Sequence, residues 1–375
     1  MKAIFSSKKT WIAMVVLAGL ATLANWQRHQ VVAWYYVRQL TNAYEENRED
    51  YANKVADLEE AALPRVLDGL QSKDALVCAN LQYALVLMTK RWGVTDPRAQ
   101  SLVERLSTQF ASFSSEGQDK TLLLLAGLLR QDGPRPLAPK LIKAVGEVLV
   151  EAERSNELRA ACLLLAAELI DCVQPGQWAA VVRDMAERGL KDESSETRMA
   201  AVQLLLREPM RQSKELMEKA IPLLRDPEPG VRRAALLALA SESDVVREEA
   251  FLPLLHDEDA QVQYLCEIAL RKRKLTDDDI KLARMISDKN PVTRMRVLHY
   301  FHQMPELNLG AWLRQLSQDR EPAVRAAAVR AAADFPQVDL TQRLREMAER
   351  DPSETVRQNA RYYLQIRSPR ASLDY

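Results

Sequence analysis

Histidine is the first residue type to weigh for chemistry, because an imidazole can hold a metal or move a proton near neutral pH. The chain has four: His29, His256, His299 and His302. His299 and His302 stand three apart and would share a helix face. Zinc needs at least a third ligand, and none stands nearby. The four cysteines, Cys78, Cys162, Cys172 and Cys266, form no CxxC pair. Buried thiols of this kind behave as small hydrophobes. There is no Walker A loop, no GxSxG elbow and no HExxH helix. No catalytic residue, cofactor or metal is expected. What the composition does offer is ion pairing, with 52 basic and 52 acidic side chains in 375 residues. That balance argues against a nucleic-acid surface, which needs excess positive charge.

The charges recur at a fixed spacing. Asp192, Asp226, Asp257, Asp288, Asp319 and Asp351 are each followed six residues later by Arg198, Arg232, Gln263, Arg294, Arg325 and Arg357. The acidic positions step by 34, 31, 31, 31 and 32 residues, which marks a repeat protein. Asp226 falls where a turn ends and a helix begins, where a short carboxylate accepts free backbone N–H groups. The helix after it presents Val231, Ala235, Ala238 and Leu239 on one face; the helix before it presents Leu216, Ala220, Leu223 and Leu224. Neither helix buries its apolar face alone, and stacking the pairs buries both. Cys162 and Cys266 fall at the Ala235 position of their repeats, on the packing face.

The pattern P-L-L-x-D-x-x-x-x-V-R-x-x-A around Pro222 to Ala235 resembles the HEAT repeat, an antiparallel pair of helices. The resemblance covers residues 177–366. It implies an all-α fold, an α-solenoid of antiparallel helix pairs wound as a HEAT-like superhelix, with an Asp–Arg ladder along its inner turns. Pro222 and Pro253, four residues before their Asp, resemble the proline that kinks the first helix of many HEAT units. Gln263 departs from the pattern, since an amide cannot complete an ion pair. Iron-binding enzymes with HEAT-like folds use repeated His-Glu pairs, and this chain has no His-Glu dipeptide. Bilin lyases and some DNA glycosylases share such repeats, but a membrane segment fits neither.

That segment is residues 11–26, WIAMVVLAGLATLANW, without a charge and preceded by Lys2, Lys8 and Lys9. At 1.5 Å per residue it spans roughly 22 Å, a little short of a ~30 Å hydrocarbon core. It reads as an N-terminal transmembrane signal anchor. A cleaved signal peptide ending near Thr22-Leu23-Ala24 and a cytosolic hydrophobic helix are the alternatives. Under the anchor reading the lysines hold the N-terminus inside, and the repeats lie on the extracytoplasmic side.

The expected organisation follows: a basic N-terminus (1–10), the anchor (11–26), a charged helical stalk (27–60), degenerate repeats (61–176), regular repeats (177–366) and a disordered tail (367–375). In the stalk, Leu40, Tyr44, Tyr51, Val55 and Leu58 make a thin apolar stripe. In the degenerate half, Ser72 and Cys78 align with Asp and Arg, Lys120 lies near an Arg position, and Glu153 and Arg159 keep the six-residue offset. Thr276 to Asp279 reads as a capping box, and Arg271–Lys274 as a basic helix end. The function expected is a non-catalytic, membrane-tethered scaffold that binds a protein partner on the solenoid's concave surface. Arg233, Gln263 and Arg330 on the second helices are the candidate partner surface. A small-ligand or lyase-like enzymatic module and a structural spacer are the alternatives.

Overall fold

Leucine and alanine at 3.6-residue spacing leave this chain little but helices to build. The computed structural model describes residues 28–131, 138–173, 176, 178–301, 309–335 and 337–367, and among them there is no strand. The chain divides into two compact units, Met1–Lys219 and Ala220–Tyr375. The change at residue 177 expected from the sequence marks where the repeat becomes regular, not where the compact units part.

In the first unit residues 28–41 form α1. There follow α2 (Glu45–Asp57), α3 (Leu63–Gly69), α4 (Ala75–Trp92), α5 (Pro97–Gln109), α6 (Ser115–Gln131), α7 (Pro139–Ala152), α8 (Arg159–Ile170), α9 (Ala179–Gly189), α10 (Ser195–Leu204), α11 (Glu208–Arg211) and α12 (Lys214–Ala220). Helices α2, α4, α6, α8 and α10 pack in sequence as one layer. A second layer has α3 on α4, α5 on α7, and α9 on both α8 and α10. Within α4, Leu81, Ala84, Leu85 and Met88 form one stripe with no more than 1% exposure. Each large member of such a stripe contributes roughly 1.5–3 kcal/mol when fully buried.

The expected stalk is two helices that pack into the first unit. Thr41 Oγ1 and Asn42 Nδ2 both donate to the Arg38 carbonyl, competing with the helix ladder, and α1 ends there. Asn80 on α4, fully buried, donates to the carbonyls of Leu40 and Ala43 at 3.0 and 2.9 Å. The break rotates the register of the stripe. Leu40 and Val55 are buried, whereas Tyr44 is 75% exposed.

The second unit comprises the 3₁₀ turn Ile221–Arg225, α13 (Pro229–Leu239), the 3₁₀ turns Glu248–Ala250 and Leu252–His256, α14 (Ala260–Lys272), α15 (Asp277–Ser287), α16 (Pro291–Tyr300), α17 (Leu309–Leu316), α18 (Pro322–Asp334), α19 (Thr341–Arg350) and α20 (Glu354–Arg367). α13 packs on α14, α16 on α18, and α18 on α20; α15, α17 and α19 cover α16, α18 and α20. Val231, Ala235, Ala238 and Leu239 are all buried, as are Leu223 and Leu224 ahead of the turn. Pro222 and Pro253 each stand inside a 3₁₀ turn, where a kinked α-helix is expected from the resemblance. A proline ring clashes with the carbonyl four residues back and offers no N–H, so the tighter i→i+3 winding takes over.

The 11–26 segment expected to cross a membrane lies outside the described residues, as do residues 132–137 and the tail from 368. Among the described residues no helix is long and apolar enough to cross a membrane.

Candidate functional site

The recurring turns are built the same way each time. Oδ1 of Asp192, Asp226, Asp257, Asp288, Asp319 and Asp351 accepts the N–H two residues on, from Ser194, Glu228, Asp259, Asn290, Glu321 and Ser353, at 2.7–2.9 Å. These aspartates therefore fold the turn ahead of the helix. The cap proper is a different residue two further on: Ser194, Asp259 and Asn290 each accept a helix N–H of their own. The sequence reading of Asp226 as a carboxylate beside a helix start thus becomes an Asx turn closed one step earlier.

The arginine six residues later does two things. Its Nη1 donates to the main-chain carbonyl of its own Asp: Arg198 to Asp192 at 2.9 Å, Arg232 to Asp226 at 2.7 Å, Arg294 to Asp288 at 2.8 Å, Arg325 to Asp319 at 2.8 Å and Arg357 to Asp351 at 2.6 Å. In the second unit the rest of the guanidinium reaches the next repeat. Arg232 Nη2 lies 2.6 Å from Asp257 Oδ1. Arg294 grips Asp319 with two bonds of 2.6 and 2.8 Å, and Arg325 grips Asp351 with two of 2.8 Å. The pairs sit nearly dry, with Arg325 10% and Asp351 4% exposed in their side chains. Hydrogen bonding to the neighbouring carboxylate pushes the Arg232, Arg294 and Arg325 guanidinium groups up from their ordinary value. Burial alone would raise the Asp351 carboxyl, but Arg325 and the Ser353 N–H together carry it below its ordinary value.

One rung is open. Gln263 Nε2 donates to the Asp257 carbonyl at 2.6 Å, filling the inward half of the arginine's role. Asp288 closes its own turn on Asn290 and makes no ion pair among the described residues. In the first unit the ladder changes chemistry. Ser72 Oγ accepts the Asp74 N–H at 3.2 Å, and Cys78 Sγ donates to the Ser72 carbonyl at 3.2 Å. Ser114, six residues before Lys120, donates to the Ser72 carbonyl at 2.5 Å. Lys120 turns aside to Asp119 at 2.8 Å. Arg159 reaches Asp192 at 2.7 Å, whereas Glu153 pairs with Arg188 instead of forming a turn.

The candidate partner residues are spread over three helices. Arg233 on α13 pairs with Asp259 at 2.8 Å, Gln263 on α14 is half-buried, and Arg330 on α18 is exposed. Of the histidines, His256 Nε2 bonds the Arg284 carbonyl at 2.8 Å, and His302 lies outside the described residues. All four cysteines are buried, and burial pushes the Cys162 and Cys266 thiols up to about 12. No group of residues able to hold a metal occurs among the described residues. The capping box of α15 forms between Thr276 and Asp279.

Three features carry no clear sequence signal. Arg273, in the run expected to form a basic helix end, has a side chain only 3% exposed. Its guanidinium donates to the Leu239 and Ala240 carbonyls, both at 2.9 Å, and lies 4.6 Å over the Phe251 ring. It thereby holds the end of α13 over the irregular stretch 241–250. In the first unit, buried Glu168 is gripped by Arg130 and Arg207, and Arg207 also reaches Asp171 at 2.7 Å. Third, a cleft of about 370 Å³ opens in the second unit, lined by Glu248, Glu249 and Asp279 but also by Arg273 and Lys274, with Trp312 beside them. The buried Trp312 indole N–H has no acceptor among the described residues.

A sequence model of HEAT repeats matches residues 182–271 and 279–365. No curated protein is significantly similar to the chain in sequence. Among solved structures, yeast importin-beta (Kap95p) superposes with a TM-score of 0.54 at 14% identity, over 98% of this chain and 55% of that one. Importin beta crystallised in a polyethylene glycol condition gives 0.51 at 12%, over 90% and 54%. Kap95p in its complex with RanGDP gives 0.50 at 13%, over 98% and 55%. The chain spans about half the length of these structures, and identities this low carry the fold alone: an all-α solenoid of HEAT-like repeats.

Proposed function

We propose that the chain is a non-catalytic scaffold or adaptor that holds a protein partner on its helical repeats and is tethered to a membrane through residues 11–26. The observation that carries this reading is how the recurring charges are spent. Each ladder arginine of the second unit is bonded to a turn carbonyl, and three of them also to the next repeat's Asp. What remains for recognition is the polar face of the second helices. Stacked helix pairs provide such extended surfaces without any catalytic group. The likeness to Kap95p, which binds RanGDP, supports a protein ligand as the class of partner.

Among Arg233, Gln263 and Arg330, Arg330 is the residue most open to a partner. Gln263 is engaged at the Asp257 carbonyl, and Arg233 must leave Asp259 to act. The three N-terminal lysines favour an extracytoplasmic position for the repeats. The test is co-purification of the full chain from its native membrane, with mass spectrometry of what accompanies it. A partner lost on Arg330→Glu, with α18 still folded, supports the scaffold. A partner retained by both Arg330→Glu and Arg233→Gln refutes this face.

A second reading, a small-ligand module, draws on the cleft beside Trp312. An indole donor without an acceptor among the described residues, beside carboxylates and the cations of Arg273 and Lys274, suits a polar ligand that carries an acceptor atom. A ligand that quenches Trp312 and no longer binds Trp312→Phe would favour that reading over the scaffold.

A further inference from the structure

Helix α1 shows two opposite stripes. Ala33, Val37 and Leu40 are buried against the stack. On the other side Val31, Trp34 and Tyr35 are 64%, 46% and 49% exposed, and they follow i, i+3, i+4 spacing. Arg28 and Arg38 bracket them on the same exposed stripe. The Arg38 guanidinium lies 5.4 Å over the Trp34 ring. The stripe runs about 15 Å along the helix.

Charge says what covers this face. Five of the 52 basic residues and none of the 52 acidic ones fall in positions 1–44, so the rest of the chain is net acidic. An acidic partner surface or an anionic headgroup layer would suit the stripe equally by charge alone. The tryptophan and tyrosine select the headgroup layer, because an aromatic ring with one polar edge settles at a membrane interface beside arginine. Chain length agrees. Val31 can lie at most about 18 Å from the end of the uncharged stretch at residue 26.

We propose that the exposed Arg28–Val31–Trp34–Tyr35–Arg38 face of α1 lies on anionic lipid headgroups, so that the repeats dock directly on the bilayer instead of standing off it. This rests on the tether at 11–26 proposed above, and it goes further by fixing which face meets lipid. Arginines near an anionic surface attract it and the rings insert beside them. A spacer of charged helix has no place in this arrangement.

The test uses the full chain in nanodiscs of phosphatidylcholine alone, or of equal parts phosphatidylcholine and phosphatidylglycerol. An environment-sensitive fluorophore is attached at Val31→Cys, or at Tyr264→Cys in the second unit as a comparison; Tyr264 is 64% exposed, as is Val31. The four native cysteines are buried. Spin-labelled lipid should quench the probe at 31 in the anionic discs and leave the probe at 264 unchanged. Arg28→Gln and Arg38→Gln should each lower the docked-to-free ratio roughly fivefold. If the chain stays with the discs but the probe at 31 is unquenched, docking is overturned while the tether stands. If the chain leaves the discs, both fall. Self-quenching at 31 between copies without quenching by lipid assigns the face to a second copy and overturns the proposal. Quenching indifferent to the arginines and to phosphatidylglycerol overturns the anionic-headgroup assignment.

Discussion

The turns of the two units solve one problem with different side chains. In the second unit a guanidinium spans the gap between repeats and clasps a carboxylate, as Arg294 does with Asp319. In the early repeats of the first unit, before Arg159 and Asp192 resume the pattern, the same positions hold Ser72, Cys78 and Ser114, none of them long enough to span such a gap. The backbones there come together instead. The Ser114 N–H donates directly to the Leu70 carbonyl at 3.2 Å. A Cβ on Gly117 would fall 1.9 Å from that same oxygen. The Asp–Arg pair is thus one way to close the turn. Where helices approach to backbone contact, hydroxyl and thiol groups suffice. The ladder is structural in both forms, because every donor in it ends on a turn carbonyl or a neighbouring repeat.

If close approach replaces the ladder in the first unit, Gly117 is the residue that permits it. Gly117→Val must push α6 away from the end of α3, since the obstructing atom is backbone and cannot rotate aside. The expected loss is about 3 kcal/mol, confined to the first unit. Hydrogen exchange during denaturant titration would show α4 and α6 losing protection while α18 and α20 keep theirs. An unchanged midpoint would mean that the approach relaxes without cost.

The corresponding break in the second unit is Arg294→Met. It leaves Asp319 with an uncompensated charge at a nearly buried position, and the loss should be about 2 kcal/mol, below the range for fully interior pairs because turns lie at the rim. Arg294→Met combined with Asp319→Asn should recover most of it, since the amide oxygen can still accept the Glu321 N–H while no charge is stranded. A double variant as unstable as the single one would show that the bonds to the Asp288 and Lys289 carbonyls carry the effect.

Much of this was legible before any coordinates. The six-residue offset and the near-constant step disclosed the stacked pairs, because each repeat must rebuild the same turn. The alanine positions Ala235 and Ala238 disclosed the buried face for the same reason. What the one-dimensional pattern could not disclose was anything set by a long-range neighbour. The break between α1 and α2 starts with Thr41 and Asn42 but is held by Asn80, nearly forty residues on, so the charged stretch reads as one stalk. Arg273 stands in a run of four cations that reads as a helix end, and only the fold brings it to the Leu239 and Ala240 carbonyls at the end of α13. Ser72, Cys78 and Ser114 aligned with the repeat but look nothing like an ion pair. Their equivalence appears only when the Leu70 carbonyl is placed beside them.

Acid should separate α8 from the pair α18 and α20 by sign. The Asp351 carboxyl is held below its ordinary value, so its contribution is fully present above about pH 4 and fades as pH falls through the lower folded value. In the first unit burial outweighs Arg207 at Asp171 and raises its carboxyl. That group favours the fold at low pH and withdraws its support as pH rises through the raised value. Lowering the pH below the ordinary carboxylate range should therefore loosen α18 and α20 sooner than α8, read by hydrogen exchange. Equal loosening of both would mean that Asp351 and Asp171 do not set the acid response of the helices they border.

The smallest effect is also the sharpest test of what an arginine adds. Gln263 already makes the inward bond to the Asp257 carbonyl, and Asp288 already closes its own turn. Gln263→Arg would keep the first bond and supply the missing reach to Asp288, changing nothing else in the repeat. A rim ion pair of this kind is worth at most about 1 kcal/mol. The gain should appear as a rise in denaturation midpoint that is abolished by Asp288→Asn. It should also shrink in high salt, because a pair at the turn edge is partly screened. If Gln263→Arg leaves the midpoint unmoved, the forward half of each rung contributes little, and the bond to the repeat's own carbonyl is what the six-residue spacing preserves. The early turns around Ser72 and Ser114 would then differ from the later ones only in the length of the side chain that makes that bond.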